Sequence, residues 1–507
     1  MTHVAPILGG SAFLTAVFWL DALVRPRREA PPRPWRSARG SALLLLLSAM
    51  VCGMFLALCG SVLVSAVLAL ALQALLALAS NAKRAMLGEP LLFSDLALIG
   101  AIFRHPQFYL SALKVWQKLA IGLVAAALLV ALAWLFVPDP AVHLWGAGLA
   151  LGSFAALAAI LRLPSFRALA PEPDAVADVA RHGLLPTLLL HWLRWRASAD
   201  PAPCPAPKRL SAQADPDHPA PDLPAPEVIV AVQCESFADP AELFGDRAMA
   251  LPGLAAARAQ AWQWGDLQVS GFGAYTMRTE YAVLFGREEE ALGFRRFDPF
   301  LTALGEASYA LPQRLGPERW RSLFVHPHDM RFYGRDRILP AGGFAELVGE
   351  AHFDPPGPGE GRYVSDAAIT RELLAQARCA QSASFLYAVT IENHGPWSSA
   401  KGNRAEHLVE GYRELVGKSD AMLSELTDGL AALERPAMLV FFGDHRPSIP
   451  GASEPGGPRH TPYVVLRFDA SGQVVPGANS RRDITPAALH HAILEGALGR
   501  EQDGART

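Results

Sequence analysis

The feature that most constrains this chain is a set of long apolar runs, all of which lie before residue 164. Residues 41–80 carry no charged side chain, and as one helix they would measure about 60 Å, twice the hydrocarbon core of a bilayer. We therefore divide this run near Gly60 into two spans. Further runs of spanning length occupy residues 7–24, 119–136 and 143–162. The sequence predicts an N-terminal α-helical membrane domain of about five spans, over residues 1–163.

The next segment, residues 164–226, is predicted to join the membrane domain to a globular one. Its stretch His182–Arg196 is too short to cross a bilayer, but its tryptophan and arginine side chains suit a helix at the membrane interface. Residues 201–226 contain nine prolines, which favour an extended, semi-rigid linker. From residue 227 to about residue 500, strand-like and helix-like stretches alternate, which predicts a C-terminal α/β domain with a mostly parallel central sheet.

Composition removes several classes of function. With 51% hydrophobic residues, the chain is too apolar for an ordinary soluble enzyme. The formal net charge of −3, without a pattern of basic and aromatic residues, gives no support for nucleic-acid binding. The five cysteines show no C-x-x-C spacing, so they do not indicate a redox site.

Polar side chains follow three predicted strands at the points where those strands end. They are Glu235 after Val228–Val232, His394 after Phe385–Ile391, and Asp444 with His445 after Ala437–Phe442. Because the carboxyl ends of parallel strands meet at one edge of a sheet, we expect these side chains to converge. Carboxylates and imidazoles together suit a divalent cation such as Zn²⁺ or Mn²⁺. The alternative at each strand is an ordinary polar turn.

A candidate nucleophile, Thr276, lies in the glycine-containing segment Gly271–Tyr281. The glycines permit a close approach of the backbone to a ligand, and Thr276 begins a predicted helix whose free N–H groups favour a phosphate. A metal bound to the hydroxyl would lower its pKa and activate it. The alternative is that Thr276 only caps the helix.

Five motifs in chain order resemble the lipoteichoic acid synthase and phosphoglycerol transferase branch of the alkaline phosphatase–sulfatase superfamily, over roughly residues 227–467. The motifs are VQCESF, YTMRTEY, HPHDMRFYGRD, VTIENHGPW and FFGDHRPS. Five preceding spans are similar to that family's layout, and GEPLLFSDL resembles its segment before the fourth span.

The resemblance implies roles for the matching residues. It implies a metal site formed by Glu235, Thr276, Asp444 and His445, in which Thr276 is also the nucleophile. It implies that His394 binds the phosphate or assists the leaving group. The remaining implied contacts to the glycerophosphate come from His326, Tyr333 and Arg335. An arginine such as Arg335 can contact a phosphate through two N–H groups at once.

Two positions depart from the family pattern. His328 stands where an aspartate is common, and Tyr333 replaces a usual tryptophan. Both positions belong to the glycerol pocket, so they put the identity of the head group in doubt more than the type of reaction.

The implied function is transfer of a phosphoglycerol head group from phosphatidylglycerol to a hydroxyl of a glycan or growing polymer, with one divalent ion (Mn²⁺, Zn²⁺ or Mg²⁺). One rival is a phosphoethanolamine transferase, in which His460 would be a ligand of a second metal. A sulfatase would need a C/S-x-P-x-R motif, which neither Cys234 nor the Thr276 segment provides. A rival from another class is a silent membrane protein that binds glycans or assembles a synthesis complex.

Two signals disagree about the side of the membrane. Residues 25–40 hold six arginines and one glutamate, and the positive-inside rule places them in the cytoplasm. Four further crossings would return the catalytic domain to the cytoplasm. The family layout instead implies a protein of the bacterial inner membrane whose catalytic domain lies outside the cytoplasm. We adopt the family layout as the expectation.

Overall fold

The protein is described by a computed structural model over residues 4–25, 36–96, 115–204, 224–357, 361–397, 404–477 and 479–497. The chain divides into two compact units, Met1–Ser198 and Ala199–Thr507. The boundaries predicted from sequence, 1–163, 164–226 and 227–500, stay predictions. Most of the proline-rich linker lies outside the described residues.

The first unit is entirely helical where it is described. Its helices are α1 Val4–Leu23, α2 Ala38–Cys59, α3 Val62–Leu87, α4 Val115–Trp134, α5 Pro140–Ile160, α6 Pro164–Arg167, α7 Ala175–His182 and α8 Leu184–Ala197. The residues at the predicted break behave as expected, because Gly60 ends α2 with φ 68° and the Ser61 side chain caps the first turn of α3.

Within the described residues, three helices are long and apolar enough to cross a bilayer, namely α2, α3 and α5. Helices also occupy the other two predicted spans, as α1 and α4. The chain is therefore an integral membrane protein, and the count of five spans stays a prediction. Helix α8 coincides with the segment predicted to lie at the interface, and its contact with a membrane also stays a prediction.

Helices α2 and α5 pack closely because glycines meet at their crossing. A Cβ atom on Gly53 would lie 2.6 Å from the backbone N of Ala150, and one on Gly146 would lie 2.3 Å from the backbone N of Ala57. Both distances are shorter than real Cβ contacts, so only glycine fits at these two positions. Small residues that let helix backbones approach are the usual means of helix association in a membrane.

Arg36 ties the start of α2 to the segments at one end of the helical unit. Its Nε donates a hydrogen bond to Asp21 Oδ2 at 3.0 Å, and its Nη1 donates to the carbonyl oxygens of Val179 and Ala180, both at 3.0 Å. The chain therefore reaches α7 at the same end of the unit from which α2 starts.

The second unit contains one eight-stranded sheet with the order β4-β3-β5-β1-β6-β7-β2-β8. The strands are β1 Val228–Cys234, β2 Gln263–Leu267, β3 Arg321–Val325, β4 Glu346–Val348, β5 Ser384–Val389, β6 Ala437–Gly443, β7 Thr461–Phe468 and β8 Ser480–Arg481. Strands β4, β3, β5, β1 and β6 run parallel, whereas β7 pairs antiparallel with both β6 and β2. The predicted α/β fold with a mostly parallel sheet is confirmed.

The helices of the second unit connect these strands. They are α9 Pro240–Leu243, α10 Pro252–Gln260, α11 Thr276–Phe285, α12 Glu289–Leu292, α13 Pro299–Thr302, α14 Leu311–Leu315, α15 Arg335–Ala341, α16 Asp366–Cys379, α17 Ala405–Ala431 and α18 Pro486–Ala497. Short 3₁₀ turns occur at Arg247–Met249, Gly293–Phe297, Leu304–Tyr309, Phe332–Gly334 and Glu350–His352.

The core explains why the three site-bearing strands read as continuous apolar runs. Every residue of β1, β5 and β6 is buried, as expected for parallel strands covered on both faces. Apolar residues of α10, α16 and α17 pack with these strands in one hydrophobic cluster. The carboxyl ends of the strands are consequently fixed by the core of the unit.

Asp420 of α17 should be important for stability because it caps a different helix. Its two carboxylate oxygens accept hydrogen bonds from the backbone N–H groups of Gly253 and Leu254, both at 2.7 Å, in the first turn of α10. We expect Asp420→Ala to lower the free energy of unfolding by about 1–3 kcal/mol, because two buried N–H groups lose their acceptor. Thermal unfolding of the purified protein would show the change.

The matched control is Asp428→Ala, which removes an exposed carboxylate from the same helix. Its effect should stay within about 0.5 kcal/mol. Equal melting temperatures for the two variants would contradict the capping role.

Candidate active site

The site begins where β1 and β6 end side by side. The two strands are parallel and in register, with Cys234 opposite Gly443, so the next residues, Glu235 and Asp444, emerge together. Gly443 is required there, because a Cβ atom on it would lie 1.9 Å from the carbonyl oxygen of Phe237. Ligand atoms of Glu235, Asp444 and His445 all lie within 4.8 Å of one another, and the three residues are buried.

Thr276 reaches this cluster from the first position of α11. The preceding residue, Tyr275, has φ 77° and ψ 31°, a left-handed conformation that is costly for a bulky side chain and is often found at functional sites. The Thr276 hydroxyl lies 3.5 Å from Glu235 Oε2 and 3.4 Å from His445 Nε2. The helix start thus brings a hydroxyl next to two carboxylates and an imidazole.

Hydrogen bonds fix one oxygen of Asp444 and leave the other oxygen available. Asp444 Oδ1 accepts from the backbone N–H groups of Ser236 and His445, both at 2.8 Å. Its Oδ2 is buried and has no hydrogen-bond partner among the described residues. A buried carboxylate oxygen in this situation is costly unless a cation or a proton occupies the space beside it.

The orientation of the His445 ring suits a metal ligand. Its Nδ1 lies 3.2 Å from the carbonyl oxygen of Arg446, so Nδ1 carries the proton and donates it. The lone pair of Nε2 then points toward the cluster, where Nε2 lies 3.5 Å from Glu235 Oε1 and 3.5 Å from Asp444 Oδ2. A second hydrogen bond that sets the tautomer in this way is typical of metal-binding histidines.

The residues present therefore fit a divalent ion. Neighbouring ligands of a tetrahedral ion with bonds of about 2.1 Å lie about 3.4 Å apart, which matches the separations measured among these donor atoms. The donor set is two carboxylates, one imidazole and one hydroxyl. It suits Zn²⁺ or Mn²⁺ and does not distinguish between them.

Without an ion, the cluster holds its protons tightly. Burial, together with the neighbouring Glu235, raises the pKa of Asp444 to about 7, although His445 opposes the change. Burial acts to lower the pKa of His445, but the carboxylates of Asp444 and Glu235 outweigh it and raise that pKa. Both groups must lose a proton before they can bind a metal.

Arg335 is placed differently from the sequence expectation. Its Nε and Nη2 form two hydrogen bonds with the carboxylate of Glu280, at 2.9 and 2.6 Å, so the expected double contact to a phosphate is made to a protein side chain instead. Both residues are buried, which makes this pairing necessary. Only Nη1 of Arg335 remains without a hydrogen-bond partner among the described residues.

Two more of the predicted substrate contacts lie around Arg335. The guanidinium of Arg335 lies 5.1 Å from the centre of the Tyr333 ring, and Tyr333 itself has φ 60°. His326 is buried and its Nδ1 donates to the carbonyl oxygen of Val389 at 2.9 Å. Burial and the nearby Arg335 hold the pKa of His326 well below its usual range, so this imidazole is neutral.

His394 is not among the grouped potential ligands of the described residues. It is exposed, its Nδ1 donates to the carbonyl oxygen of Gly395 at 2.7 Å, and its ring centre lies 5.6 Å from that of Tyr363. The adjacent Asn393, which we did not single out from the sequence, is buried and donates from Nδ2 to the backbone oxygen of Glu235 at 3.2 Å. Asn393 could have been found from the sequence because it lies directly before His394 in the ENHG motif.

His460 belongs to a second, separate group with Glu242 and Asp266. Its Nε2 lies 2.7 Å from Glu242 Oε1 but also 2.7 Å from Nη2 of Arg446. A guanidinium at this nitrogen competes with a cation for it. A second metal at His460 stays a prediction.

Comparisons with known proteins identify the family of the second unit and relatives of the chain. A family model described as Sulfatase matches residues 227–494. The capsular polysaccharide biosynthesis protein RkpI of Rhizobium meliloti is 29% identical over 440 residues, which cover 82% of this chain and 80% of that protein.

One solved structure shares the fold over nearly the whole chain. The phosphoethanolamine transferase EptA of Neisseria meningitidis, which modifies lipooligosaccharide, is 14% identical and has a TM-score of 0.54, with 92% of this chain and 96% of that chain covered. The lipoteichoic acid synthase LtaP of Listeria monocytogenes is 17% identical with a TM-score of 0.41, covering 55% and 73%.

The metal site should fail as a unit. Asp444→Ala and His445→Ala should each abolish both bound metal and activity, because each removes a carboxylate or imidazole donor, which binds a divalent ion more strongly than the neutral hydroxyl of Thr276 does. Elemental analysis of purified protein would measure the occupancy and identify the ion. Cys379→Ala, an exposed change far from the cluster in sequence, should spare both. Full occupancy in the Asp444 variant would show the assignment to be wrong.

Metal affinity should depend on pH with a definite sign. Since the pKa of Asp444 is raised to about 7, the empty site is protonated below that pH, and a metal must displace the proton. We expect the affinity for Mn²⁺ to fall as the pH drops below about 7, by about tenfold per pH unit for each proton released. Calorimetric titration would measure this. A constant affinity between about pH 5 and pH 8 would contradict the account.

Proposed function

The chain belongs to the sulfatase family, as its ordered motifs predicted, and we propose that it transfers a phosphoglycerol head group from phosphatidylglycerol to a hydroxyl of a glycan or polymer. The family match covers residues 227–494, and EptA shares its fold along nearly the whole chain. An enzyme of this superfamily with an attached membrane unit suits a lipid donor. The lipid, the head group and the acceptor are the proposed part.

One observation supports the reaction type above all others. The Thr276 hydroxyl lies 3.4 Å from His445 Nε2 and 3.5 Å from Glu235 Oε2, inside a buried cluster of potential metal ligands. A hydroxyl that only capped its helix would have no need of these neighbours. Its position combines the roles of ligand and nucleophile.

We assign the metal to Glu235, Thr276, Asp444 and His445. When bound, a divalent ion lowers the pKa of a coordinated hydroxyl and stabilises negative charge on the transferred group. The protein residues do the rest: Ser236 and His445 hold Asp444 through backbone N–H groups, and Arg446 sets the tautomer of His445.

The reaction proceeds in two balanced steps. The deprotonated Thr276 oxygen attacks the phosphorus of phosphatidylglycerol, the bond from phosphorus to the diacylglycerol oxygen breaks, and diacylglycerol leaves with a proton from His394 or water. An acceptor hydroxyl then attacks the phosphorus of the phosphoglycerol-threonine and gives its proton to His394 or water. The bond from phosphorus to the Thr276 oxygen breaks, and Thr276 takes a proton from water to become the free hydroxyl again. His394 suits the proton transfer because it is exposed and follows β5, the neighbour of the strand β1 that leads to Glu235.

The surroundings of Arg335 support binding of an anionic head group. Glu280 neutralises and orients the guanidinium, and the unpaired Nη1 supplies one donor for a phosphate oxygen or a glycerol hydroxyl. His326 and Tyr333 lie beside Arg335 and complete the proposed pocket. Tyr333 and His328 are the positions at which this pocket departs from the family pattern.

The relative RkpI is named for capsular polysaccharide biosynthesis, which favours a glycan acceptor for this chain as well. We place the catalytic unit outside the cytoplasm, where outer-leaflet lipid and surface glycans meet. The arginines of residues 25–40 argue for the opposite orientation, but at least one of them, Arg36, is committed to Asp21 and to α7. A C-terminal reporter that is active only in the cytoplasm would overturn this orientation.

The decisive test uses Thr276→Ala with head-group-labelled phosphatidylglycerol. Wild-type protein should carry one label on the peptide that contains Gly271–Glu280, and an acceptor should discharge it faster than water does. The variant should bind metal, since three ligands remain, and form no adduct. Thr427→Ala on α17 is the matched control and should behave as wild type.

The outcomes separate the rival functions. Label on another peptide, or turnover that persists in Thr276→Ala, would contradict the covalent mechanism. Adduct formed with labelled phosphatidylethanolamine but not with phosphatidylglycerol would keep the mechanism and identify a phosphoethanolamine transferase. Metal binding without any adduct would favour the silent, glycan-binding alternative.

A further inference from the structure

A groove of about 890 Å³ opens in the second unit beside the candidate active site. It lies between α16 and α17, and residues 352–356 and 363–365 form its rim. Its volume falls in the upper part of the range of about 300–1,000 Å³ typical of small-molecule sites. The head-group pocket around Arg335 does not contribute to it, because none of His326, Tyr333 or Arg335 lines the groove.

One short segment separates the groove from the metal cluster. On one side of it, Thr390 Oγ1 accepts a hydrogen bond from the Glu235 N–H at 3.0 Å. On the other side, Glu392 lines the groove and accepts from Lys418 Nζ at 2.7 Å. Tyr363 also lines the groove, and its ring stacks edge-on against His394. The groove therefore adjoins the segment that carries His394 and that also supports Glu235.

The walls combine an aromatic surface with charged groups that are free to bind. Phe353 and Tyr363 supply half-buried rings. Phe353 packs partly against the core, and the guanidinium of Arg362 lies 4.9 Å from the centre of the Tyr363 ring, so each ring gives the groove only part of its surface. Arg371 of α16 and Glu425 of α17 are exposed, and neither side chain has an ion-pair partner among the described residues. Planar guanidinium and carboxylate groups can each make two hydrogen bonds at once, which suits adjacent hydroxyl groups.

The balance of charge selects against a polyanion. Four carboxylates line the groove, from Asp354, Glu372, Glu392 and Glu425, against the two permanent cations Arg371 and Lys418. Two of these carboxylates are already paired, Glu392 with Lys418 and Glu372 with His352. The remaining groups leave an excess of negative charge, which repels a phosphate-bearing polymer and tolerates neutral hydroxyl groups.

We propose that this groove binds the acceptor and that the acceptor is a neutral oligosaccharide rather than an anionic glycerophosphate polymer. The proposal rests on the transfer reaction proposed above, and it assigns the groove to the second half of that reaction. The sugar rings lie against Phe353 and Tyr363, Arg371 and Glu425 bind their hydroxyl groups, and the attacking hydroxyl reaches the phosphorylated Thr276 past His394.

The test uses the double variant Arg371→Ala/Glu425→Gln in the full-length protein. Both side chains are exposed and without ion pairs, so the fold should be unaffected. Labelled phosphatidylglycerol should form the Thr276 adduct as in wild type. With neutral glucose and galactose oligosaccharides as acceptors, discharge of the adduct should have a kcat/KM about tenfold lower, which corresponds to about 1.4 kcal/mol. Arg378→Ala, an exposed change on α16 that does not line the groove, is the control and should not change it.

A direct binding measurement keeps the two proposals distinguishable. Saturation-transfer NMR should detect the neutral oligosaccharides on wild-type protein and on Thr276→Ala, and lose them on the double variant. If wild type forms no adduct, the transfer reaction is wrong, and the NMR result alone decides the groove. Equal discharge or equal binding by the double variant, or tighter binding of a glycerophosphate polymer than of the neutral sugars, would overturn the proposal.

Discussion

The rest of the site depends on the parallel, in-register pairing of β1 with β6. This pairing makes Glu235 and Asp444 leave the sheet as neighbours, at a point where the core has already excluded water. Two buried carboxylates repel each other, so the arrangement is stable only with positive charge or protons beside them. The raised pKa of Asp444 is the consequence in the absence of an ion, and His445 and Thr276 complete the site for a metal.

A second buried charge near the site, on Arg335, is also balanced by an opposite charge. Arg335 is buried and paired through two hydrogen bonds with Glu280, which lies one turn after Thr276 on the same helix. A shift of α11 would therefore displace both Thr276, the proposed nucleophile, and Arg335, the proposed hydrogen-bond donor to the head group. The segment from Thr390 to His394 plays a similar part on the other side, since it supports Glu235 and also forms a wall of the acceptor groove. Under the proposed function, the elements that would bind the lipid donor and the acceptor are thus both tied to the cluster around Thr276.

The sequence predicted the sheet because the buried strands are continuous apolar runs that end abruptly on polar residues. The sequence could not predict that the Arg335 guanidinium makes its two hydrogen bonds to Glu280. That contact joins residues 55 positions apart and leaves no periodic pattern. The groove was missed for a related reason: Arg371 and Glu425 lie on two helices that read as ordinary amphipathic surfaces. His460 was noticed as a single histidine, whereas its environment depends on Arg446 and Glu242.

The central claim is that one metal ion binds to the two carboxylates, the histidine and the threonine at the ends of β1, β6 and the start of α11. Anomalous diffraction at the absorption edge of Mn²⁺ or Zn²⁺, from crystals of the metal-loaded protein, tests it most directly. The account predicts one strong peak about 2.0–2.3 Å from ligand atoms of Glu235, Thr276, Asp444 and His445. A peak confined to the group of Glu242, Asp266 and His460, with the first site empty, would contradict it.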